Sequence, residues 1–247
     1  MSRIILTINP GSTSTKLGLF SGVNCLLNRD IDHNSDDLNV ISGQEDQIEL
    51  RLKYIREFLA EAEADLIAIR SDIDLIMARG GLIGPVSSGV YTINDAMKQV
   101  LTSECFGSHA SNLGALIADR LSLEIGKPAY IADPPSVDEM NPIAKYTGLK
   151  TISRLSLFHA LNHKAAAREA ADIIGLPYDR LQLIVCHMGG GISAGLHSMG
   201  RVVDVNNALE EGPMSPERAG TLPTISLLRE FSQSGLSTDK YRKLING

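Results

Sequence analysis

The sequence contains no tryptophan, and aromatic residues make up only 4% of its 247 positions. Aliphatic side chains must therefore fill the interior. With 43% hydrophobic and 21% charged residues, the chain has the composition of a globular protein and is long enough for one large domain or two modest ones. This composition argues against disorder.

Cysteine is equally scarce. Cys25, Cys105 and Cys186 are scattered, odd in number and never form a Cys-x-x-Cys pair. Such usage is typical of reduced thiols in a cytosolic protein, and it argues against a metal–thiolate site.

Basic clusters and long apolar runs are also missing. The net charge is −6, and Lys and Arg residues nowhere form a cluster interleaved with aromatics. We therefore expect neither nucleic acid nor an anionic membrane as a partner. The apolar start, Ile4 to Leu6, is too short for a signal peptide, and no run approaches the roughly 20 residues that span a bilayer. These absences predict a soluble, cytoplasmic protein.

The first half of the chain alternates between short apolar runs and longer amphipathic segments. Apolar residues between 44 and 64 recur at steps of four and three, which predicts a helix. Strands are predicted at 4–8, 16–20, 24–30, 72–77 and 128–132, and further helices at 94–104 and 111–125. Three antiparallel strands followed by helix crossovers indicate a mixed sheet with helices on its faces.

The second half repeats the opening of the first. After a predicted helix at 157–174, strands at 181–186, 192–197 and 201–205 are separated by a Gly-rich turn and a tight turn, as at residues 4 to 30. Beyond Pro223 only two helices are predicted, at 224–232 and 238–245. The chain is therefore expected to be an α/β protein of two duplicated units. The first domain would span 1–150, and 151–247 would form an incomplete second domain.

Each unit carries a Gly-rich loop between its first two strands. In "TINPGSTSTKLGLF", residues 7–20, backbone N–H groups, hydroxyls and Lys16 suit phosphate oxygens, although a plain hairpin is the alternative and the P-loop pattern is not matched. In the second loop, His187 to Gly191, three glycines allow close backbone approach to a ligand. Together the loops predict a nucleotide clamped in a cleft.

Several polar residues accompany these loops. His159 and His163 lie four apart on one helix face, either as a zinc pair or, as we prefer in the absence of an HExxH pattern, as hydrogen-bond donors to an anion. Asp133 directly follows a strand, where an Asp-Pro turn or a Mg²⁺ carboxylate is expected, and Asp138 and Glu139 compete for the latter role.

Two arginines lie in Gly/Pro-containing loops. Arg79 in "MARGGLIGP" and Arg218 in "MSPERAGTLP" are each followed closely by glycine. Arginines in such loops are usually surface charges that are solvated by water. Convergence on a cleft would instead make them binders of carboxylate or phosphoryl oxygens.

With these motifs the sequence resembles the acetokinase family, and more narrowly its butyrate kinase and branched-chain fatty-acid kinase members. The resemblance is carried by "TINPGSTSTKLGLF", "ARGGLIGPV", "DPPSVDEMNPIAKYTG", "RLSLFHALNHKAAAR", "VCHMGGGISAGLHSMGRVVDVNNA" and "EGPMSPERAGTLP". It implies duplicated actin-like (ribonuclease H-like) βββαβα units. Family members continue well past the position that corresponds to Gly247, so the resemblance leads us to expect a C-terminally truncated chain.

The resemblance also implies roles for single residues. The first phosphate loop would contain Asn9, Ser12, Ser14 and Lys16, and the second His187, Gly189, Gly190 and Gly191. Asp133 would be the Mg²⁺-associated acid, His159 the hydrogen-bond donor to the transferring phosphoryl group, and Arg79 and Arg218 the catalytic arginines. Arg79 is assigned by its loop, because acetate kinases carry theirs a few residues earlier.

The activity implied is transfer of the γ-phosphoryl group of ATP to a short-chain carboxylic acid, which gives an acyl phosphate and ADP, reversibly and with Mg²⁺. A homo-oligomer is expected as well. The alternatives are an acetate or propionate kinase, an actin-like ATPase that uses water as acceptor, and a catalytically incompetent fragment that retains only binding.

Overall fold

The computed structural model describes residues 3–33, 43–65 and 70–246. The chain packs as two compact units: unit 1 comprises Met1–Gly84 and Gly89–Pro134, and unit 2 comprises Pro85–Ser88 and Pro135–Gly247. Residues 135–150 thus pack with unit 2, whereas the sequence analysis assigned them to the first domain. The domain division at residue 150 stays a prediction.

Unit 1 is a six-stranded mixed sheet with three helices among its described residues. The elements are β1 (Ile4–Pro10), β2 (Ser14–Ser21), β3 (Asn24–Asp32), α1 (Gln44–Ala64), β4 (Ile73–Arg79), β5 (Val90–Thr92), α2 (Asp95–Ser103), α3 (Asn112–Ile125) and β6 (Ala129–Ala132). The strand order is β3-β2-β1-β4-β6-β5, in which β4 runs parallel to β1 and β6, and the other pairs are antiparallel. The mixed sheet predicted from the sequence is confirmed.

Strand β5 is the element that the sequence analysis missed. It is only three residues long, and Val90 and Thr92 are exposed at the edge of the sheet. A run of this length has too few residues to display the alternation by which strands are recognised.

The core of unit 1 follows from the spacing of apolar residues in α1. Ile48, Leu52, Ile55, Leu59 and Ala62 are all buried, on the face that the steps of four and three predict. They pack in one cluster with buried residues of β1, β2, β4 and α3. The predicted helix at 44–64 is confirmed.

The register between β1 and β2 separates a core face from a polar face. Leu6 pairs with Leu19 and Ile8 with Leu17, and all four side chains are buried. Residues directly opposite each other in an antiparallel pair point to the same side of the sheet, and successive residues alternate between sides. The next pair along the strands, Asn9 and Lys16, therefore lies on the opposite face from this core.

Unit 2 has a three-stranded antiparallel sheet and three helices among its described residues. The elements are α4 (Ala160–Ile174), β7 (Gln182–Met188), β8 (Ile192–Ser198), β9 (Arg201–Val205), α5 (Thr224–Ser234) and α6 (Thr238–Asn246). The strand order is β7-β8-β9, and α4 packs against β7. These elements match the predicted ones to within three residues at each end. None of the helices in the described ranges has both the length and the apolar composition needed to cross a bilayer.

Gly114 in α3 fixes the distance between this helix and the end of β4. A Cβ atom at Gly114 would overlap the carbonyl oxygen of Arg79. Backbone atoms cannot move aside as the end of a flexible side chain can, so only glycine fits at this contact. The helix thereby supports the backbone of Arg79, a predicted catalytic residue.

We predict that Gly114→Ala lowers the free energy of unfolding by about 1–3 kcal/mol because of this overlap. Helix propensity alone predicts the opposite sign, a gain of about 1 kcal/mol. Urea unfolding decides between the two effects. Gly148→Ala is the matched control, since a Cβ atom there meets nothing within 4 Å; it should be neutral or slightly stabilising. A stabilised Gly114→Ala protein would contradict the tight contact.

Candidate functional site

The first Gly-rich loop is held by hydrogen bonds to its own backbone and to α1 and the end of β3. Within the loop, the Gly11 amide donates to the carbonyl oxygen of Ser14 at 2.8 Å. Arg51 Nη2 donates to the carbonyl oxygen of Gly11 at 3.0 Å, and the His33 amide donates to that of Thr13 at 2.8 Å. Ser12 is exposed at the tip. The loop backbone is thus fixed, while one predicted phosphate-binding hydroxyl faces solvent.

Arg51 was missed by the sequence analysis. Its side chain is buried, at 1% exposure, and burial lowers the pKa of its guanidinium. It lies three residues after Ile48 and four before Ile55, so it belongs to the apolar face of α1. A charged residue within an apolar stripe is the signal that would have identified it.

The predicted phosphate-binding residues Asn9, Ser14 and Lys16 lie on the polar face of the β1–β2 hairpin. Asn9 is directly opposite Lys16, and Ser14 precedes Lys16 by two residues on β2. Lys16 Nζ also forms an ion pair with Asp30 at 2.8 Å, which raises the pKa of Lys16. Both side chains are more than half exposed. Since water screens such a pair, Lys16 stays accessible to other anions.

Arg79 and Asp133 lie at the same edge of the unit 1 sheet. Strands β4 and β6 run parallel, and Arg79, the last residue of β4, pairs with Ala132, the residue before Asp133. The carboxyl ends of parallel strands are where open α/β sheets bind ligands. Burial lowers the pKa of Arg79 from its ordinary value, but an arginine remains charged at neutral pH.

Asp133 is held in an uncommon backbone conformation. Its φ is +35°, its amide donates to the carbonyl oxygen of Gly89 at 2.9 Å, and its Oδ1 accepts from the Gly89 amide at 2.8 Å. The side chain is only 6% exposed. Positive φ is unusual for a residue other than glycine and occurs disproportionately at functional sites.

The donor set around Asp133 suits a Mg²⁺ ion that brings its own ligands. In the described ranges, no group of three or more His, Cys, Asp or Glu residues could hold a metal ion. Asp138 instead pairs with Lys145, and Glu139 accepts from Lys164 Nζ at 2.7 Å and from the Val202 amide at 2.9 Å. Mg²⁺ commonly binds one carboxylate together with waters and substrate phosphates. The Asp133 carboxylate fits that arrangement, and its role stays a prediction.

The second Gly-rich loop, between β7 and β8, is packed against the segment 215–218. The carbonyl oxygen of Gly190 accepts from Ser215 Oγ at 2.6 Å and from the Glu217 amide at 3.1 Å. A Cβ atom at Gly190 would overlap the Glu217 carboxylate, and one at Gly191 would overlap the guanidinium of Arg218. Two of the three glycines therefore leave room for the ends of neighbouring side chains, so their number alone does not indicate a ligand.

His159, His187 and Arg218 lie together at this loop. The rings of His159 and His187 are stacked, with centroids 3.8 Å apart and planes 12° apart. The position of a Cβ atom on Gly191 lies against Arg218 and 3.5 Å from His159 Cε1. Arg218 Nη1 donates to the carbonyl oxygen of Ala208 at 3.1 Å, and its buried Nε atom has no acceptor among the described residues. Unit 2 thus groups its predicted anion-binding residues at one place.

Behind His159 lies a buried polar network that the sequence analysis did not predict. Ser193 Oγ is 2.8 Å from His159 Nδ1 and 2.9 Å from His163 Nε2. His163 Nδ1 is 3.3 Å from His197 Nε2, and His197 Nδ1 is 2.6 Å from Tyr178 Oη. Both nitrogens of His163 are engaged in this network, which argues against the alternative of a zinc pair.

The sequence signal for this network lies at the inward-facing positions of β8. Ser193, Gly195 and His197 alternate along the strand, and all three are buried. Polar residues such as Ser193 and His197 at inward positions of a strand require partners, because unpaired polar groups are costly to bury. The spacing of Ser193 and His197 indicates a buried polar network. It does not identify Tyr178 as the partner of His197.

His163 and His197 are electrically neutral near pH 7. Both side chains are fully buried. Burial lowers the pKa of each to about 4, helped at His163 by the neighbouring His197 and at His197 by the charge of Lys164. Neither ring therefore carries a positive charge that could attract an anionic ligand.

We predict that acidification from pH 6.5 to 4 lowers the free energy of unfolding by roughly 2–3 kcal/mol for each of these two rings. The unfolded imidazoles titrate near 6.5 and the folded ones near 4. In that window the unfolded state binds more protons, so stability rises with pH. Urea unfolding at several pH values measures the slope. His197→Gln should flatten it, whereas Glu169→Gln, a change on the exposed face of α4, should not; equal slopes would contradict the prediction.

The chain is similar to proteins of known families over nearly its whole length. No protein-family model matches it. It is 49% identical over 245 residues to a probable butyrate kinase of Phocaeicola vulgatus, which covers 98% of this chain and 67% of that protein. A probable butyrate kinase of Coprothermobacter proteolyticus is 48% identical over 225 residues, covering 90% of this chain and 62% of that protein. The chain thus spans about two thirds of the length of these relatives.

A solved structure shows the fold. The acetate kinase of Porphyromonas gingivalis matches with a TM-score of 0.73 at 18% identity, covering 99% of this chain and 68% of that one. The predicted fold class, duplicated actin-like α/β units, is confirmed. The chain is 48–49% identical to two probable butyrate kinases and shares the fold of an acetate kinase. It therefore belongs to the butyrate kinase group of the acetokinase family.

Proposed function

We propose that this chain provides the substrate-binding and catalytic residues of a short-chain fatty-acid kinase. The enzyme transfers the γ-phosphoryl group of ATP to the carboxylate of a butyrate-like acid, giving an acyl phosphate and ADP, and the reaction runs in both directions. The observation that carries the proposal is the 49% identity to a probable butyrate kinase over 98% of the chain. A cytoplasmic location and self-association are proposed with it.

The chemistry is governed by charge. A carboxylic acid titrates near pH 4 to 5, so it is already ionised at neutral pH and needs no general base to act as a nucleophile. The obstacle is repulsion between this carboxylate and the anionic phosphoryl group. Catalysis then depends on positioning the reactants in line and on cations placed around the transferring group.

The described residues offer such groups in each unit. In unit 1, Arg79 is a partly buried guanidinium at the end of β4, and Lys16 is an exposed ammonium on the polar face of the hairpin. In unit 2, Arg218 and His159 adjoin the second Gly-rich loop. A guanidinium of low exposure interacts with an anion more strongly than an exposed one, because less water screens it.

The remaining predicted residues bind the nucleotide. Ser12, Ser14 and Asn9 offer hydroxyl and amide groups to phosphate oxygens, and Gly189 offers backbone at the second loop. His187 donates through Nδ1 to the side-chain oxygen of Asn162, at 3.0 Å, which orients its ring. Mg²⁺, when bound with the nucleotide near Asp133, would neutralise phosphate charge.

The proposal predicts acyl phosphate formation that requires both ATP and acid, with butyrate preferred over acetate. Trapping the product with hydroxylamine and varying the acyl length measures this. A preference for acetate or propionate would support the acetate or propionate kinase alternative. ATP hydrolysis without acid would indicate a water-using ATPase. ATP–Mg²⁺ binding in a calorimeter without turnover would indicate the binding-only alternative.

We predict that Arg218→Ala lowers kcat by more than tenfold, each tenfold being ~1.4 kcal/mol of transition-state stabilisation. The reason is the loss of a positive charge beside the second loop. Arg229→Ala, at an exposed arginine of α5, is the matched control and should leave kcat unchanged. Circular dichroism of both variants checks the fold. Equal turnover of the two variants would remove Arg218 from the mechanism.

A further inference from the structure

Five side chains of unit 2 form one continuous hydrogen-bonded row, which we call the imidazole relay. It runs from Tyr178 through His197, His163 and Ser193 to His159, with contacts of 2.6, 3.3, 2.9 and 2.8 Å. Ser193, His163 and His197 are fully buried. The relay thus links a half-buried tyrosine at one end to a predicted catalytic histidine at the other.

Two arrangements of protons satisfy every donor of the relay, whereas a third, in which Ser193 accepts from both His163 and His159, leaves the buried Ser193 O–H without an acceptor in the relay and is costly. A neutral imidazole has one N–H donor and one acceptor nitrogen, so each ring must accept on one side and donate on the other. If Tyr178 donates to His197, then His197 donates to His163, His163 to Ser193, and Ser193 to His159 Nδ1. If the direction is reversed, His159 Nδ1 is the donor, and Tyr178 accepts. The end of the row therefore decides the tautomer at His159.

The contact at Tyr178 favours the first direction. Its oxygen lies 2.6 Å from His197 Nδ1, and a phenolic O–H is a stronger donor than an imidazole N–H, while an imidazole nitrogen is a stronger acceptor than a phenolic oxygen. Two cations also lie near the tyrosine ring: Lys164 Nζ is 5.8 Å and Arg168 Cζ is 6.0 Å from its centroid. Positive charge stabilises electron density on the phenolic oxygen, so it strengthens the O–H group as a donor.

We infer that Tyr178 is a positioning residue, which acts through the relay to hold His159 in the tautomer whose Nδ1 accepts from Ser193 and whose Nε2 carries the proton. In this tautomer His159 presents an N–H donor to an anion. The opposite tautomer would present a lone pair, which repels phosphoryl oxygens. The inference rests on the proposed function only for the identity of that anion.

The arrangement explains why three neutral polar groups are buried behind one functional ring. Ser193 Oγ accepts from His163 and donates to His159, so both of its hydrogen-bonding roles are used. A histidine bonded only to water could exchange between tautomers. The relay prevents this exchange at His159 before a substrate binds. The ring is thus preorganised as an N–H donor.

The test is the tautomeric state of His159, read from ¹⁵N chemical shifts of histidine-labelled protein near pH 7 without nucleotide or acid. The His159 signals are assigned by their loss in His159→Gln. We expect the Nε2–H form in the unaltered protein and a mixture of both forms in Tyr178→Phe, which keeps the ring but removes the donor. Tyr146→Phe, at a tyrosine that is 77% exposed, is the matched control and should leave the signals unchanged.

Turnover provides a second readout. Tyr178→Phe should lower kcat about tenfold with little change in KM for ATP, because an N–H donor that acts on the transferring group contributes mainly in the transition state. If Tyr178→Phe does not fold, Ser193→Ala interrupts the same relay beside His159 and should mix the tautomers likewise.

The inference is overturned if His159 is in the Nδ1–H form in the unaltered protein, or if it stays wholly in the Nε2–H form in the folded Tyr178→Phe and Ser193→Ala proteins. Failure of the proposed kinase activity is a separate result, because the ¹⁵N measurement requires no substrate. If the unaltered protein shows the kinase activity but the variants keep its His159 tautomer, the inference is overturned and the proposed function stands.

Discussion

The pairing register of β1 with β2 is the constraint on which unit 1 depends. The side-chain period of a strand is two residues, so a slip of β1 by one position against β2 would turn Leu6 and Ile8 away from the core and bury Asn9 in their place. The hydrophobic free energy of the core therefore fixes the register, and the register fixes which face carries the predicted phosphate-binding residues. Strand β8 uses the same alternation in unit 2, with polar Ser193 and His197 turned inward.

Both units place a buried polar group directly behind a predicted functional loop or residue. In unit 1, Arg51 donates to the backbone of the first loop from within the apolar face of α1. In unit 2, His163 and Ser193 lie behind His159. Such groups lose hydration when buried, and hydrogen bonds offset that cost: both Nη atoms of Arg51 are bonded, whereas its buried Nε has no acceptor among the described residues. Their presence in each unit indicates that orientation of the functional groups is maintained by the interior.

Much of the fold could be predicted from the sequence, because it depends on local periodicity. The spacing of Ile48 to Ala62 gave the bounds of α1, and the return of the strand–loop–strand pattern located β7 to β9. The three-residue strand β5 was too short for any pattern. The site was harder to predict. The ion pair of Lys16 with Asp30 depends on which strand neighbours β2, and Tyr178 meets His197 only after α4 has packed on the sheet. The number of glycines at 189–191 predicts a ligand site, and the structure adds that Glu217 and Arg218 occupy the space beside Gly190 and Gly191, which no sequence pattern indicates.

The contact between the second Gly-rich loop and the segment 215–218 has a mechanical consequence. The carbonyl oxygen of Gly190 is tied to both Ser215 and Glu217, and Arg218 fills the space next to Gly191. The loop and the segment that bears Arg218 are thus coupled, because a displacement of Gly190 would break these two hydrogen bonds unless that segment moved with it. An anion that shifts the loop backbone on arrival would thereby also swing a positive charge, without a hinge of its own.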